Sequence, residues 1–316
     1  MGQTVTMEPL RLEPIYLKTI WAGNRLERIR HLPAEGYGIC REVCAYKNSE
    51  SIIASGAYAG SKISALISEQ HEAVLGNDPS DQLIRVAYID AVEDLSVQVH
   101  PNAQFAERVG DYEKSESWYI LDAEDGAYIS AGVKLTDKEA IAAACLSADI
   151  EKDIIRIPVQ KGDFVLIPAG LMHACGKNML ALEIGSFGGI TYRLYDYGRP
   201  RPLDLDKGLA ILDPSLRCTK RSFPPLVVSE TQVRKGVEHS LFNVDVIDVC
   251  QDYEFETNQQ YSILTCVENN CVVYSSSSKY NLEYTDTLFI PASAGKIRIE
   301  GHCRILKSYR PKEAGL

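Results

Sequence analysis

Asp163-Phe-Val-Leu-Ile-Pro168-Ala169 and Asp286-Thr-Leu-Phe-Ile-Pro291-Ala292 are the stretches on which the fold turns. Each is an acidic turn residue, an apolar run of strand length, a proline that cannot continue a central strand, and a small residue. Two copies of one β-unit account for the echo. Five residues past the proline the copies part: His173 stands in the first, Lys296 in the second. The first copy therefore carries a side chain able to bind a metal, and the second does not. Pro224-Pro225 lies between them as a stiff linker. The expected division is 1–223, metal-binding with helical insertions, and 224–316, smaller and without ligands.

Working outward, β-rich runs of four to seven residues recur between Gly, Asn, Asp and Pro. They include Leu83–Ile89, Leu95–Val99, Trp118–Leu121, Val244–Val249, Tyr261–Val267 and Cys303–Ser308. Helical signals are few. Ile63, Leu66, Ile67 and Val74 have helical spacing within Ser61–Leu75, with Gly76 as the stop. Thr136 and Glu139 read as a capping box ahead of Ala140–Leu146, and Leu205–Leu212 as a third short helix. The class expected is mainly β with a few short helices.

Composition limits the functions open to such a chain. It has 316 residues, 45% of them hydrophobic and 24% charged, enough for a full core and unlike a disordered chain. The longest stretch without Asp, Glu, Lys or Arg is the thirteen residues Phe164–Gly176. That is short of the ~20 apolar residues of a membrane span. The net charge of -10 repels nucleic acid and anionic lipid, so an anionic substrate requires a local basic pocket. Nine cysteines, with no C-x-x-C pair, read as reduced and mostly buried thiols. The first ten residues, with Glu8 and Pro9, lack the pattern of a secretory signal, so a cytoplasmic location is expected. Ser275–Ser278 reads as a solvated hairpin tip.

The chemistry is concentrated in Leu95-Ser-Val-Gln-Val-His100-Pro101. The strand period of two puts Ser96, Gln98 and His100 on one face and Val97 and Val99 on the other. Glu116, on the next strand, can face the same cavity, with Lys114 its same-face neighbour, and His173 follows the turn Pro168-Ala-Gly170. Two imidazoles, a carboxylate and an amide oxygen suit a borderline divalent ion such as zinc with positions left open; without the amide the set suits iron. The bland alternative makes the histidines satisfied rim residues and Glu116 a solvated strand residue. Arg193 shares a face with Thr191 and Tyr195, where its fork can hold a substrate oxygen or phosphate, or simply pair with Asp196 or Glu183.

Four stretches carry a family resemblance. They are Leu95–Pro101, Lys114-Ser-Glu-Ser-Trp-Tyr119, Gly162–Ala174 and Thr191-Tyr-Arg-Leu-Tyr-Asp-Tyr197. With them the chain resembles the type I phosphomannose isomerases of the cupin superfamily, from about residue 14 to residue 310. The resemblance implies two cupin-type jelly-roll β-barrels, the first catalytic and the second structural. It implies one Zn2+ held by Gln98, His100, Glu116 and His173, with Arg193 and Lys114 in the active site and Glu183 as a second acid/base candidate. The implied reaction interconverts mannose 6-phosphate and fructose 6-phosphate through an enediol, so the implied partner is a small sugar phosphate.

Departures from the family are as informative. Ala87 stands where a phosphate-holding lysine is usual, and Arg85, on the same strand face, is the candidate to replace it. Gly185, Ser186 and Gly189 replace two amides and an acid at the cavity edge, and Arg41 replaces a tryptophan. They keep open a sugar-binding protein without turnover, while the two histidines and a glutamate keep open an iron-dependent oxygenase on the same fold.

Overall fold

The structure, a computed structural model, describes residues 6–47, 49–80 and 82–311. It is mainly β. Of the ten N-terminal residues read for targeting, 1–5 lie outside the described residues. A seven-stranded sheet runs in the spatial order Ile15–Lys18, Tyr37–Val43, Arg85–Ala91, Met179–Gly185, Glu116–Ala123, Asp163–Ile167, Thr219–Ser222. A five-stranded sheet orders Tyr192–Tyr195, Val97–Val99, His173–Ala174, Tyr128–Val133, Ile154–Pro158. Residues beyond 231 form a five-stranded and a four-stranded sheet of their own.

The sequence echo is a repeated piece of backbone. In the first copy the Asp163 carboxylate accepts the Gln160 N–H at 3.0 Å; in the second Asp286 accepts the Glu283 N–H at 3.1 Å. Past each proline the chain turns in the same way, Leu171 N–H to Pro168 O at 3.2 Å and Ala294 N–H to Pro291 O at 3.1 Å. Pairing repeats as well: Ile167 faces Glu116 and Phe164 faces Tyr119, as Ile290 faces Ser262 and Thr287 faces Thr265.

The helices differ in detail from expectation. Ser61–Leu75 is two helices, Ile63–Glu69 and His71–Leu75, broken at Gln70. Gly76 does stop the second, at φ +69°, and a Cβ there would lie 2.1 Å from Gln259 O, so the position admits only glycine. The cap of Lys138–Ser147 is Asp137 rather than Thr136: its carboxylate accepts the Ala140 N–H at 2.7 Å, a charged acceptor displacing a hydroxyl. The third helix is Leu205–Ile211.

Two compact units emerge. One contains Met1–Ile15, Arg41–Arg85 and Pro224–Leu316; the other contains Tyr16–Cys40 and Val86–Phe223. The break after Phe223 coincides with the proline linker, whereas Arg41–Arg85 groups with the C-terminal part. Hydrogen bonds explain that grouping: Leu10 and Phe289 exchange two backbone bonds of 2.8 and 3.0 Å, and Ala292 and Ser293 donate to Val74 O and Ala73 O. One unit has an apolar core of Ile247, Leu264, Val273, Leu288 and Ile299 among others. The other has cores around Trp118, Ile129 and Val165 and around Val97, Val99 and Leu194.

All nine cysteines are reduced thiols, and only Cys218 and Cys250 are partly exposed. No described helix is long and apolar enough to cross a membrane. Ser275–Ser278 is the tip between Cys271–Tyr274 and Lys279–Leu282, but it is tied down: Ser276 and Ser277 donate to the Glu8 carboxylate at 3.1 and 2.8 Å.

Candidate metal centre

Gln98 organises one side of the site. Its strand pairs antiparallel with two others, and Gln98 stands opposite His173 on one and Arg193 on the other. Directly opposed residues leave a sheet on the same face, so all three side chains emerge together. The Gln98 amide lies 3.3 Å from His173 Nε2.

The imidazoles are oriented from behind. His100 Nδ1 is 2.9 Å from Ile190 O and His173 Nδ1 is 2.8 Å from Leu171 O. Each Nδ1 therefore donates to a carbonyl, and each Nε2 is left with a lone pair. Both lone pairs meet Glu116: His173 Nε2 is 3.1 Å from Oε1, and His100 Nε2 is 3.3 Å from Oε2. The ring centroids are 4.7 Å apart. Ligand atoms of the three residues all lie within 4.8 Å of one another, and every side chain is buried.

Such a cluster consists of acceptors. Among the described residues the Glu116 oxygens are approached by His100, His173 and the Lys114 ammonium. Burial pushes the Glu116 carboxyl up, but the Lys114 ammonium, His100 and His173 outweigh it and hold the group well below the usual carboxylate range. Burial, reinforced by Lys114, pushes His100 down to about 3. At neutral pH the centre is thus an anionic carboxylate flanked by a neutral imidazole at His100, an arrangement that fits a divalent cation.

A cation is already in place in Lys114, its Nζ 2.9 Å from Glu116 Oε2 and 3.0 Å from His100 Nε2. Glu183 Oε1 is 4.0 Å from the same Nζ, on the strand beside Glu116 with its Cα opposite Trp118. Ser96 is buried one residue before its strand. Arg193 shares the Gln98 row, but its Nη1 donates to Pro202 O at 2.9 Å and its Nε is 3.9 Å from Asp196. The pairing with Asp196 considered from the sequence is thus present. Arg85 opens its strand with its guanidinium over the Tyr46 ring, 5.5 Å from the centroid, and belongs to the unit that lacks the histidine–glutamate cluster.

Sequence reading missed the brace behind the site. Ser115 N–H donates to Ser186 Oγ at 2.9 Å, whose hydroxyl donates to Glu113 O at 2.7 Å; Ser115 Oγ in turn receives the Ala169 N–H at 3.0 Å. Lys114 and Glu116 are held on either side of Ser115. The close approach explains Gly185, one of the residues that looked like a gap in the cavity edge, since a Cβ there would lie 2.9 Å from Ser115 O; Gly188, not singled out from the sequence, is as crowded, with a Cβ 2.2 Å from Tyr112 O. The Gly-Ser-Phe-Gly spacing was the available signal. Trp118 completes the wall, edge-on to His173 at 5.7 Å.

A buried cluster of two histidines and a glutamate between β-strands is a candidate metal centre, and comparison with known proteins points to a cupin-type enzyme. Residues 232–310 match the family model of the mannose-6-phosphate isomerase cupin domain. Mannose-6-phosphate isomerase ManA of Bacillus subtilis is 28% identical over 315 residues, covering 96% of this chain and 100% of that protein. Mannose-6-phosphate isomerase of Streptococcus mutans is 29% identical, covering 96% and 98%. The crystal structure of the Bacillus subtilis mannose 6-phosphate isomerase superposes with a TM-score of 0.87 at 26% identity, over 96% of this chain and 99% of that one. The resemblance to the type I phosphomannose isomerases is borne out, and the chain is an enzyme of the isomerase class.

Proposed function

We propose that the chain is a zinc-dependent aldose–ketose isomerase that interconverts mannose 6-phosphate and fructose 6-phosphate in the cytoplasm. The observation that carries this reading is the convergence of His100, Glu116 and His173, two imidazole Nε2 atoms turned onto one carboxylate in a buried site. With Gln98 they would hold one zinc ion, whose charge polarises substrate oxygens as an enediol develops. The sheet pairs of each unit are read as closing into a jelly-roll barrel, catalytic in the unit of the cluster and structural in the other.

The remaining roles follow from position. Lys114, held between Glu116 and Glu183, orients the reacting oxygens of the open-chain sugar. Glu183 carries the proton between C2 and C1, being a carboxylate beside the cluster but outside it. Arg193 and Ser96 are assigned to substrate binding, Arg193 by a turn of its guanidinium away from Pro202 O and Asp196. Arg85 contributes to phosphate binding in place of the lysine absent at Ala87.

The test is a coupled assay of the purified protein with mannose 6-phosphate, before and after chelation, with metal analysis of protein purified without added metal. Turnover that disappears on chelation and returns with zinc is expected. Tight phosphosugar binding without turnover would favour a non-catalytic binder, and iron as the bound metal would favour an oxygenase.

A further inference from the structure

The strand Tyr192–Tyr195 runs into a carboxylate around which the chain folds back. Asp196 is 2% exposed, and the residues after it make a tight turn: Tyr197 and Gly198 take φ of +54° and +73°, Arg199 N–H donates to Asp196 O at 3.0 Å, and Arg201 N–H donates to Arg199 O at 2.8 Å. The loop closes on Arg193, whose carbonyl receives the Asp204 N–H at 2.7 Å while its own N–H donates to Asp204 Oδ2 at 3.3 Å. Three guanidinium groups, those of Arg193, Arg199 and Arg201, are thereby gathered around one buried carboxylate.

They do not share it equally. Arg201 takes both oxygens, Nε donating to Oδ2 and Nη2 to Oδ1, each at 2.6 Å. Arg199 Nε lies 3.3 Å from Oδ1, and its Nη2 is anchored elsewhere, donating to Asp94 O at 2.6 Å. Arg193 is left outside. Its Nε stands 3.9 Å from Oδ2, beyond hydrogen-bond reach, and is buried without an acceptor among the described residues. What holds the group is a neutral carbonyl, Pro202 O, 2.9 Å from Nη1. A buried donor left unpaired costs free energy, and Asp196 could remove that cost by a small shift. The fork from Arg201 prevents the shift, because two parallel bonds fix both the position and the plane of a carboxylate.

The place of Arg193 in the sheet gives the arrangement a use. Its Cα stands opposite Gln98, and Gln98 stands opposite His173 on the other side, so Arg193 springs from the row that carries candidate metal ligands. A guanidinium locked onto a buried carboxylate is held by charge-assisted bonds, about twice as strong as neutral ones, whereas one held through a single carbonyl can be drawn away by an anion. We infer that Arg201 is a positioning residue: by clamping Asp196 it keeps that carboxylate from capturing Arg193, so that the Arg193 guanidinium can swing from Pro202 O to a phosphorylated sugar. This deepens the proposed function and rests on Arg193 meeting substrate there.

The experiment is R201Q in the full chain, with two readouts. The first is the Arg193 Nε–H resonance in a proton–nitrogen spectrum of the arginine side chains, assigned by its loss in R193K. In R201Q it should move downfield and exchange with water about fivefold more slowly, as the N–H gains the Asp196 carboxylate; a loop that had merely loosened would exchange faster. The second is the coupled assay, in which KM for mannose 6-phosphate should rise on the order of tenfold with kcat little changed. R201K keeps a charge beside Asp196 but cannot fork both oxygens; it should lie between, and it carries the same test should R201Q not fold. An Arg193 signal that stays in place or exchanges faster in the folded variants overturns the inference, as does a shifted signal with an unchanged KM. The resonance needs no substrate, so a shifted signal in a chain that neither binds nor converts mannose 6-phosphate would uphold the clamp and count against the isomerase reading alone.

Discussion

The two copies of the Asp–strand–Pro unit share their backbone and differ in what they aim from it. Where the first places Glu116 opposite Ile167, the second places Ser262 opposite Ile290. Where the first pairs His173 with Gln98, the second pairs Lys296 with Glu256. His173 is 1% exposed, whereas the Lys296 side chain is 60% exposed and bridges to Glu254 at 2.7 Å. The turn, strand and proline therefore set the architecture, and side chains such as Glu116 and His173 decide whether a cluster of metal-ligand type forms. A fold of this kind carries its chemistry as a local graft.

The largest expected effect tests that graft. Glu116→Gln keeps the shape of the side chain but removes the charge between the two imidazoles. Metal content should fall to background and kcat/KM should drop on the order of a thousandfold or more. Ser262→Ala, the matching change in the other copy, should leave both unchanged. Metal analysis and the coupled assay on the two variants side by side read the contrast; equal losses would break it.

The second copy uses its buried charge for a different purpose. Arg304, 1% exposed, is forked onto Asp248, Nε to Oδ1 at 2.5 Å and Nη2 to Oδ2 at 2.9 Å. Asp248→Leu removes the forked partner of a buried guanidinium, leaving it Glu268 at 3.6 Å and Pro224 O, and should cost about 3 kcal/mol in a denaturant titration. Metal content of the folded protein should stay at the level of the unaltered chain. A change in metal stoichiometry would mean that this ion pair serves the centre as well as its own core.

A buried carboxylate in the unit of the histidine–glutamate cluster separates bracing from binding. Glu27 Oε1 accepts the N–H groups of Glu35, Gly36 and Tyr37 at 2.9, 2.7 and 3.1 Å. Burial alone would push its carboxyl up, but the three amides prevail and hold it below the ordinary value. Because the folded value is the lower one, this contribution is present above the ordinary carboxylate range and fades as pH falls through the folded value. Glu27→Gln should lose about 1–2 kcal/mol at neutral pH and show a flatter acid limb, with zinc content intact. Urea midpoints across the acid range check it; an unchanged acid limb would remove Glu27 from the account.

Strand periodicity made most of this legible. Gln98 and His100 on one face, Glu116 and Lys114 on another, and His173 after a proline turn were all readable from alternation and punctuation, because these are local properties. Arg193 was readable only as far as its row: the strand face is periodic, whereas the turn of its guanidinium toward Pro202 and Asp196 depends on a distant loop. The grouping of Arg41–Arg85 with the C-terminal part was illegible for the same reason, resting on backbone bonds such as Val74 with Ala292 across more than two hundred residues. The Ser186 brace lay between these cases, since its flanking glycines were visible but what approached them was not.

The smallest expected effect is the most direct challenge to the comparison. Lys296→His restores the missing imidazole to the second copy at the position that answers to His173. It removes a surface ion pair with Glu254, a loss of about 0–1 kcal/mol, and should change little else. No second metal equivalent is expected, because an exposed imidazole facing Glu256 lacks the other convergent donors: Ser262 stands where the carboxylate must be, and the surrounding core is apolar. Metal stoichiometry by mass spectrometry of the native protein decides the matter. A second tightly held ion would show that the backbone of the repeat, rather than its full set of side chains, is what creates the site.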